Sequence, residues 1–304
     1  MSLQWPQLRI GQPLSCHSLT VFPLFADGGA PPLVEYQLAD EAIAGATVSV
    51  QEVTEGGSVP ELLVENSGPT RILFLEGEEL RGAKQNRVLN TSILVASHTR
   101  TRVPVSCVEQ GRWRYTSKHF ASSKTRSPHS LHYALKASVT QSLKQSGGHR
   151  SDQGAVWQEV EKTQTSFGFS SPTSAMSDTY DRLADRMTEF REALHYPEGA
   201  VGLAIAVGPK VACVDLFDKA ATCQKAWERL LSGSILDALE GKAPEGAAAM
   251  DAAEAIVAEL RTAKWSPAPA VGEGAEFRTE FQGGIGSALL LDGTVVHANL
   301  LTAP

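Results

Sequence analysis

The first third of the chain is a series of short apolar runs broken by turn residues, and most of the runs are of strand length. Leu19–Phe25 (LTVFPLF), bounded by Asp27-Gly28-Gly29 and Pro31-Pro32, predicts a first strand followed by a loop. Val34–Ala44 is ambiguous, with a short helix predicted over Glu41-Ala42 and stopping at Gly45. Thr47–Val53 sets Val48, Val50 and Val53 in loose alternation with polar residues, Glu61–Glu65 continues in strand style, and Asn66-Ser67-Gly68-Pro69 has turn composition. Arg71–Leu75 (RILFL) is apolar through its middle, as in a strand covered on both faces. Gly77 breaks that run and Gly82 follows, so Glu78 and Glu79 are expected on a loop presented by a buried strand. Ser92–Ala96 and Arg102–Val108 are the next strands. In the second, Val103, Val105, Cys107 and Glu109 share one face by the period of two, and Pro104 predicts an edge or a strand start.

The period changes in the middle of the chain. Ser127-Pro128 predicts a helix start, serine as cap and proline in the first position, and Leu131, Leu135, Val139 and Leu143 recur at helical spacing up to Gly147-Gly148. Ala155–Lys162 predicts a second helix, Thr163–Ser174 a long loop, and Ser177-Asp178 the cap of a helix carrying Leu183, Met187, Phe190 and Leu194. Val201–Val207 and Val211–Phe217 flank Gly208-Pro209-Lys210 as a hairpin with a three-residue loop. Asp218 is expected to cap a helix bearing Cys223, Trp227, Leu230 and Leu231, with a further apolar pattern over Ile235, Leu236 and Leu239. Met250–Thr262 predicts an alanine-rich helix, and beyond Pro267 and Pro269 two strands meet at Asp292-Gly293. About ten strands with hairpin connections and about five helices predict an α+β fold: a largely antiparallel β-sheet or sandwich core with helices in blocks on one side. The expected organisation is a β-rich segment at 1–125 with the polar cluster, a mainly helical insertion or connection at 126–200, and an α+β segment at 201–304 completing the same domain or forming a second lobe.

At 42% hydrophobic and 20% charged residues, the composition is that of an ordinary globular chain. No apolar run approaches the roughly 20 residues of a membrane helix, and MSLQWPQLRIG lacks the basic start and apolar block of a secretory signal. Cys16, Cys107, Cys213 and Cys223 share no CxxC or other metal-ligand spacing and read as free thiols in a reducing cytoplasm. The net charge of −7 is unevenly spread: residues 35–79 hold ten acids against Arg71 alone (−9), and residues 81–150 hold thirteen Lys or Arg against Glu109 alone (+12). Such a swing predicts either two segments that neutralise each other or a basic surface for an anionic partner. The chain matches no named RNA or DNA module, which disfavours nucleic acid as the partner.

Candidate chemistry concentrates in Glu76–Tyr115. Lys84, Gln85, Asn86 and Arg87 are four consecutive hydrogen-bonding side chains suited to a planar or phosphorylated ligand, unless they form a solvated turn. Arg112 and Trp113 extend the set with a further cation and a stacking ring, although a tryptophan buried at a strand end is as common. Glu76, Glu78 and Glu79 can supply an acid or base or oxygen ligands, or can pair with Arg81, Lys84 and Arg87. Glu78 and Glu109 are the catalytic candidates; an Arg112–Glu109 contact across the turn is the alternative role for Glu109. Cys107 continues an apolar face and reads better as a buried inert thiol than as a nucleophile. His98 and His119 are isolated, and no transition-metal site is expected. GxGxxG and GxxxxGK[ST] are absent, and no cofactor is indicated.

The strings GEELRGAKQNR, VPVSCVEQGRW and VGLAIAV…VDLF resemble the ARG and Rhodanese-Phosphatase-superfamily-associated Protein domain family over about residues 10–300. The matching positions are Gly77, Glu78, Gly82, Ala83, Lys84, Gln85, Asn86, Arg87, Cys107, Glu109, Arg112 and Trp113. "ARG" there denotes ADP-ribosylglycohydrolase, so the resemblance implies a link to NAD or ADP-ribose metabolism and a small anionic or nucleotide-like ligand, without naming a reaction. The competing readings are a non-catalytic interaction protein using the basic 81–150 segment and a polar cluster that only ties strands together.

Overall fold

The structure is a computed structural model describing residues 3–27, 34–243 and 246–304; the loop expected after Asp27 lies outside the described residues. In chain order the first elements are strands β1 (Gln7–Ile10), β2 (Leu14–Cys16), β3 (Leu19–Asp27) and β4 (Tyr36–Leu38), then helix α1 (Ala39–Ala44). Strands β5 (Val48–Glu52), β6 (Glu61–Asn66), β7 (Arg71–Phe74), β8 (Glu78–Gly82), β9 (Arg87–Leu89), β10 (Ile93–Val95), β11 (Thr99–Cys107) and β12 (Phe120–Arg126) follow. Helices α2 (His129–Ser146), α3 (Gln153–Ser166) and α4 (Met176–Ala193) come next. The chain ends with β13 (Gly202–Val207), β14 (Lys210–Phe217), α5 (Ala220–Leu239), α6 (Met250–Thr262), β15 (Ser266–Ala268), β16 (Ala275–Phe281), β17 (Gly284–Leu291) and β18 (Thr294–Thr302). The fold is α+β, and among the described strands β4–β7 is the one parallel pair.

The residues form two compact units. One comprises Met1–Val34, Leu183–Ala268 and Ala275–Pro304; the other comprises Glu35–Arg182 and Pro269–Gly274. In the first, a nine-stranded sheet runs β1-β3-β13-β14-β18-β17-β16-β15, with β2 paired to β3. Its core is built by period-two faces such as Phe22 and Leu24, Ala204 and Ala206, Val214 and Leu216, and Ala298 and Leu300, covered by Ala253, Ile256, Val257 and Leu260 of α6. Asp292 and Gly293 both take positive φ (49° and 81°), the combination a two-residue type I′ hairpin requires. The β13–β14 turn also has two residues, one fewer than expected, because Lys210 already pairs with Val207. The apolar patterns over Cys223–Leu231 and Ile235–Leu239 are one helix, α5; the residue preceding it is Lys219, and no side chain caps it.

The second unit contains a six-stranded sheet, β12-β8-β9-β11-β6-β5, and a three-stranded sheet, β10-β7-β4. Val48, Val50, Leu62, Val64, Leu80, Leu89, Val103, Val105 and Phe120 bury against Ile72, Phe74, Ile93, Val95 and α1. Four expectations change here. Glu78–Gly82 is a strand, not a loop: Gly77 turns the chain at φ +79°, and β8 then finds backbone partners on both sides, β12 and β9. Pro104 does not mark an edge. It ends the β6 ladder, and the pairing with β9 begins at Val105, so its missing N–H falls where β11 changes partner. Pro128, not Ser127, precedes the first turn of α2, and the Ser127 hydroxyl donates to Gly77 O instead. Asp152 caps α3 through the N–H groups of Gly154 and Ala155, and α3 runs on to Ser166 through part of the expected loop.

Candidate site at the turn between β8 and β9

The turn Ala83–Asn86 joins β8 to β9 and carries Lys84, Gln85 and Asn86, with Arg87 following as the first residue of β9. It is tightly wound, with Gly82 at φ +126° and Ala83 at φ +39°. A Cβ on Gly82 would lie 2.9 Å from His119 O, so glycine is required by contact as well as by φ. What holds this strained turn is a buried ionic knot. Arg112 donates from Nε and Nη2 to the two oxygens of Glu109 (2.7 and 2.6 Å), the two-pronged geometry that suits guanidinium and carboxylate. Its Nη1 also reaches Ala83 O, Arg114 O and Thr116 Oγ1, and its Nη2 reaches Gly82 O and Asn86 Oδ1. Every nitrogen of this guanidinium is therefore engaged by protein. Glu109 accepts in addition from Asn86 N (3.0 Å) and Thr173 Oγ1 (2.9 Å). Burial pushes the Glu109 carboxyl up, but Arg112, Asn86 and Thr173 outweigh it, and its pKa falls below the ordinary range. Glu109 is thus held as an anion. Asn86 closes the knot, accepting from Gly82 N and donating to Ser177 Oγ at the start of α4.

The other side chains of the turn face a different set of neighbours. Arg87 is fully buried; its Nη1 donates to Gln85 Oε1 (3.1 Å), and its Nη2 lies 3.8 Å from Glu52 Oε1, beyond hydrogen-bond reach. Among the described residues its Nε and Nη2 have no hydrogen-bond partner, nor has Glu52 Oε2. Burial lowers the Arg87 pKa; the Glu52 charge works against that effect. The Trp113 ring stands over this guanidinium at 5.7 Å. Lys84 Nζ donates to Gly56 O and sits 5.3 Å from the Trp113 ring and 5.1 Å from the Tyr115 ring. Trp113 and Tyr115 are 47% and 49% exposed, the large hydrophobics most open to solvent among the described residues. Trp113 is therefore not the buried strand-end tryptophan that the sequence equally allowed.

The three carboxylates of the EGEE run separate. Glu76 Oε1, fully buried, accepts from Lys136 Nζ (3.1 Å) and meets His132 Nε2 at 2.9 Å. Burial, aided by Arg126 and Lys136, lowers the His132 pKa to about 4 despite Glu76. Glu78 lies opposite Arg126 in the β8–β12 register. Among the described residues, neither oxygen of buried Glu79 meets a donor at bonding geometry. Burial raises its pKa to about 8, Glu109 and Asp181 add repulsion, and Arg81 and Asn86 pull it back. Arg81 itself makes a two-pronged pair with Asp181 (3.0 and 2.6 Å). An open cavity of about 290 Å³ lies on this side of the turn, lined by Arg81, Asn86, Glu109, Arg112, Ser177 and Asp178 among others. Cys107 is buried, its thiol pushed up by burial, with Glu109 N directed at Sγ (3.4 Å).

The sequence-selected residues thus fall into two touching groups. Asn86, Glu109 and Arg112 form the knot, and Lys84, Gln85, Arg87 and Trp113 form the aromatic–cationic face; Glu78 lies outside both. Tyr115 and Glu52 complete the second group and were not selected. Glu52 carried a signal, because it continues the buried Val48–Val50 face of β5 at the period of two. Lys136 carried one too, four residues after His132 within the Leu131–Leu135–Val139 stripe of α2. The opposite charges of the two segments meet across β6 and β11, Arg100 with Glu65 (2.9 Å) and Arg102 with Glu61 (3.4 Å), so part of the swing is neutralised within the sheet.

An α+β chain with a pre-organised, charge-dense turn is the class that fold and site define. The chain belongs to the ARG and Rhodanese-Phosphatase-superfamily-associated Protein domain family, whose sequence model matches residues 7–301. No curated protein and no solved structure matches it. No helix among the described residues is long and apolar enough to cross a membrane.

Proposed function

We propose that this protein binds a nucleotide-like phosphate ligand at the aromatic–cationic face of the Ala83–Asn86 turn, in keeping with a family named for its association with ADP-ribosylglycohydrolases. The observation that carries the reading is the placing of Lys84 against the exposed Trp113 and Tyr115 rings, with Trp113 also against a buried arginine whose Nε and Nη2 have no hydrogen-bond partner among the described residues. A planar base gains stacking energy on such rings whatever its hydrogen-bond edge, and Lys84, its Nζ held by Gly56 O, sets a positive charge beside both rings for a phosphate. Arg112 and Glu109 serve as positioning residues, since their polar atoms already hold the turn. The surface ion pairs across β6 and β11 weigh against a broad basic docking surface. A thermal-shift series with ADP-ribose, NAD, AMP and inorganic phosphate tests the reading. Ligand at a hundred times its dissociation constant adds about 2.7 kcal/mol of stability. The expected result is a rise in Tm with the nucleotides that is lost in Trp113→Ala; no rise with any of them at millimolar concentration contradicts the proposal.

A further inference from the structure

A second cluster lies in the other compact unit. Cys16 ends β2, His17 is the first residue of the two-residue turn into β3, and Glu189 belongs to α4. The ligand atoms of the three side chains, Sγ, an imidazole nitrogen and a carboxylate oxygen, all lie within 4.8 Å of one another. His17 Nε2 is 3.1 Å from Glu189 Oε1. Two nitrogen or oxygen ligands of a tetrahedral zinc ion stand about 3.3 Å apart, and a sulfur and a nitrogen about 3.6 Å. The cluster is therefore within small side-chain adjustments of that geometry.

The local fold presents these groups rather than merely permitting them. The β2–β3 pairing of Cys16 with Leu19 closes a tight turn, and His17 takes φ +52° within it. The Phe190 ring lies 5.4 Å from the imidazole and gives it an apolar wall. Cys16 is buried, whereas His17 and Glu189 are largely open to water, so an ion has an entry path and a site for a solvent ligand.

We propose that Cys16, His17 and Glu189 form a binding site for a divalent zinc-class cation, with water as the fourth ligand. A thiolate, an imidazole and a carboxylate are the donors such ions take in tetrahedral sites, and the softness of the thiolate disfavours magnesium or calcium. Binding displaces the thiol proton of Cys16 to solvent, and the ion then bridges thiolate and carboxylate.

Cobalt(II) is the probe, titrated into the full chain after chelator treatment. The expected result is saturation at one equivalent, with a near-ultraviolet thiolate-to-cobalt charge-transfer band and intense visible bands of a tetrahedral ion. Cys16→Ser should lose the charge-transfer band, and His17→Ala and Glu189→Ala should weaken binding and alter the visible bands. The Glu189 position is an exposed helix site, so that variant reports even if Cys16→Ser fails to fold. Absence of saturable binding, saturation without the charge-transfer band, its persistence in Cys16→Ser, or an unchanged spectrum in Glu189→Ala would each overturn the assignment.

Discussion

Replacing Arg112 by alanine should unseat the whole turn between β8 and β9. The substitution removes a side chain 7% exposed that neutralises Glu109, itself only 4% exposed. It also removes the guanidinium donors to the carbonyls of Gly82, Ala83 and Arg114, of which Ala83 O keeps the N–H of Thr116 (3.0 Å). Breaking a buried ion pair from one side costs about 3–5 kcal/mol, because the remaining charge is left uncompensated. With a urea m-value of about 2–3 kcal/mol/M, the unfolding midpoint should fall by about 1–2.5 M. The double variant Arg112→Ala/Glu109→Gln no longer buries a lone charge, so it should regain about 1 kcal/mol or more over the single one. Urea melts followed by tryptophan fluorescence and by circular dichroism supply both numbers. A loss below about 1 kcal/mol for Arg112→Ala, or a double variant no better than the single, would refute the reasoning that the knot is desolvated and organises the turn.

Other expectations follow from the same groups. Glu79, with its folded pKa at about 8 against 4.5, binds its proton more tightly when folded, so its contribution to stability is complete below pH 4.5 and is lost as pH rises to about 8. Glu79→Gln should therefore gain on the parent as pH rises through that window, and a difference independent of pH would sink the assignment. His132 shifts the other way: with its folded pKa at about 4 against 6.5, its contribution is present above pH 6.5 and is lost as pH falls to about 4. Its imidazole resonances should stay in the neutral form down to pH 5 in a carbon–proton NMR titration. Gly77→Ala should cost about 1–3 kcal/mol, since φ is +79° and a Cβ would sit 3.1 Å from His132 Nε2; a thermal melt equal to the parent's would show that the backbone relaxes there. Cys107 should react with a disulfide reagent no faster than the chain opens, and rapid modification in the folded state would contradict the buried thiol.

The strands and helices were legible wherever apolar period and turn chemistry agree. Met250–Thr262 is a helix over the residues its pattern marks, and Asp292-Gly293 turns as its dipeptide demands. The β8 strand was not legible, because its partners are the only reason a run as polar as Glu78-Glu79-Leu80-Arg81 extends. Pro104 misled for a related reason: a strand that changes partner midway tolerates a missing donor at the junction, and no local pattern reveals the change. A unit assembled from three separated stretches likewise leaves no trace in periodicity. Within the candidate site, the turn was readable from its density of hydrogen-bonding side chains. The division of labour was not, since Arg112 is tied to Glu109 and Lys84 is set beside two aromatic rings by carbonyls that neighbouring loops supply. The Cys16–His17–Glu189 cluster is the extreme case, as ligand spacing in sequence cannot join residues 17 and 189.

Isothermal titration of ADP-ribose into the full chain, into Trp113→Ala and into Lys84→Met tests the central claim most directly. The account predicts one binding site in the parent, weakened by added salt through Lys84, with affinity at least about tenfold lower in Trp113→Ala from lost stacking and a smaller salt dependence in Lys84→Met. Equal affinity in all three proteins, or no heat of binding in the parent, would contradict it.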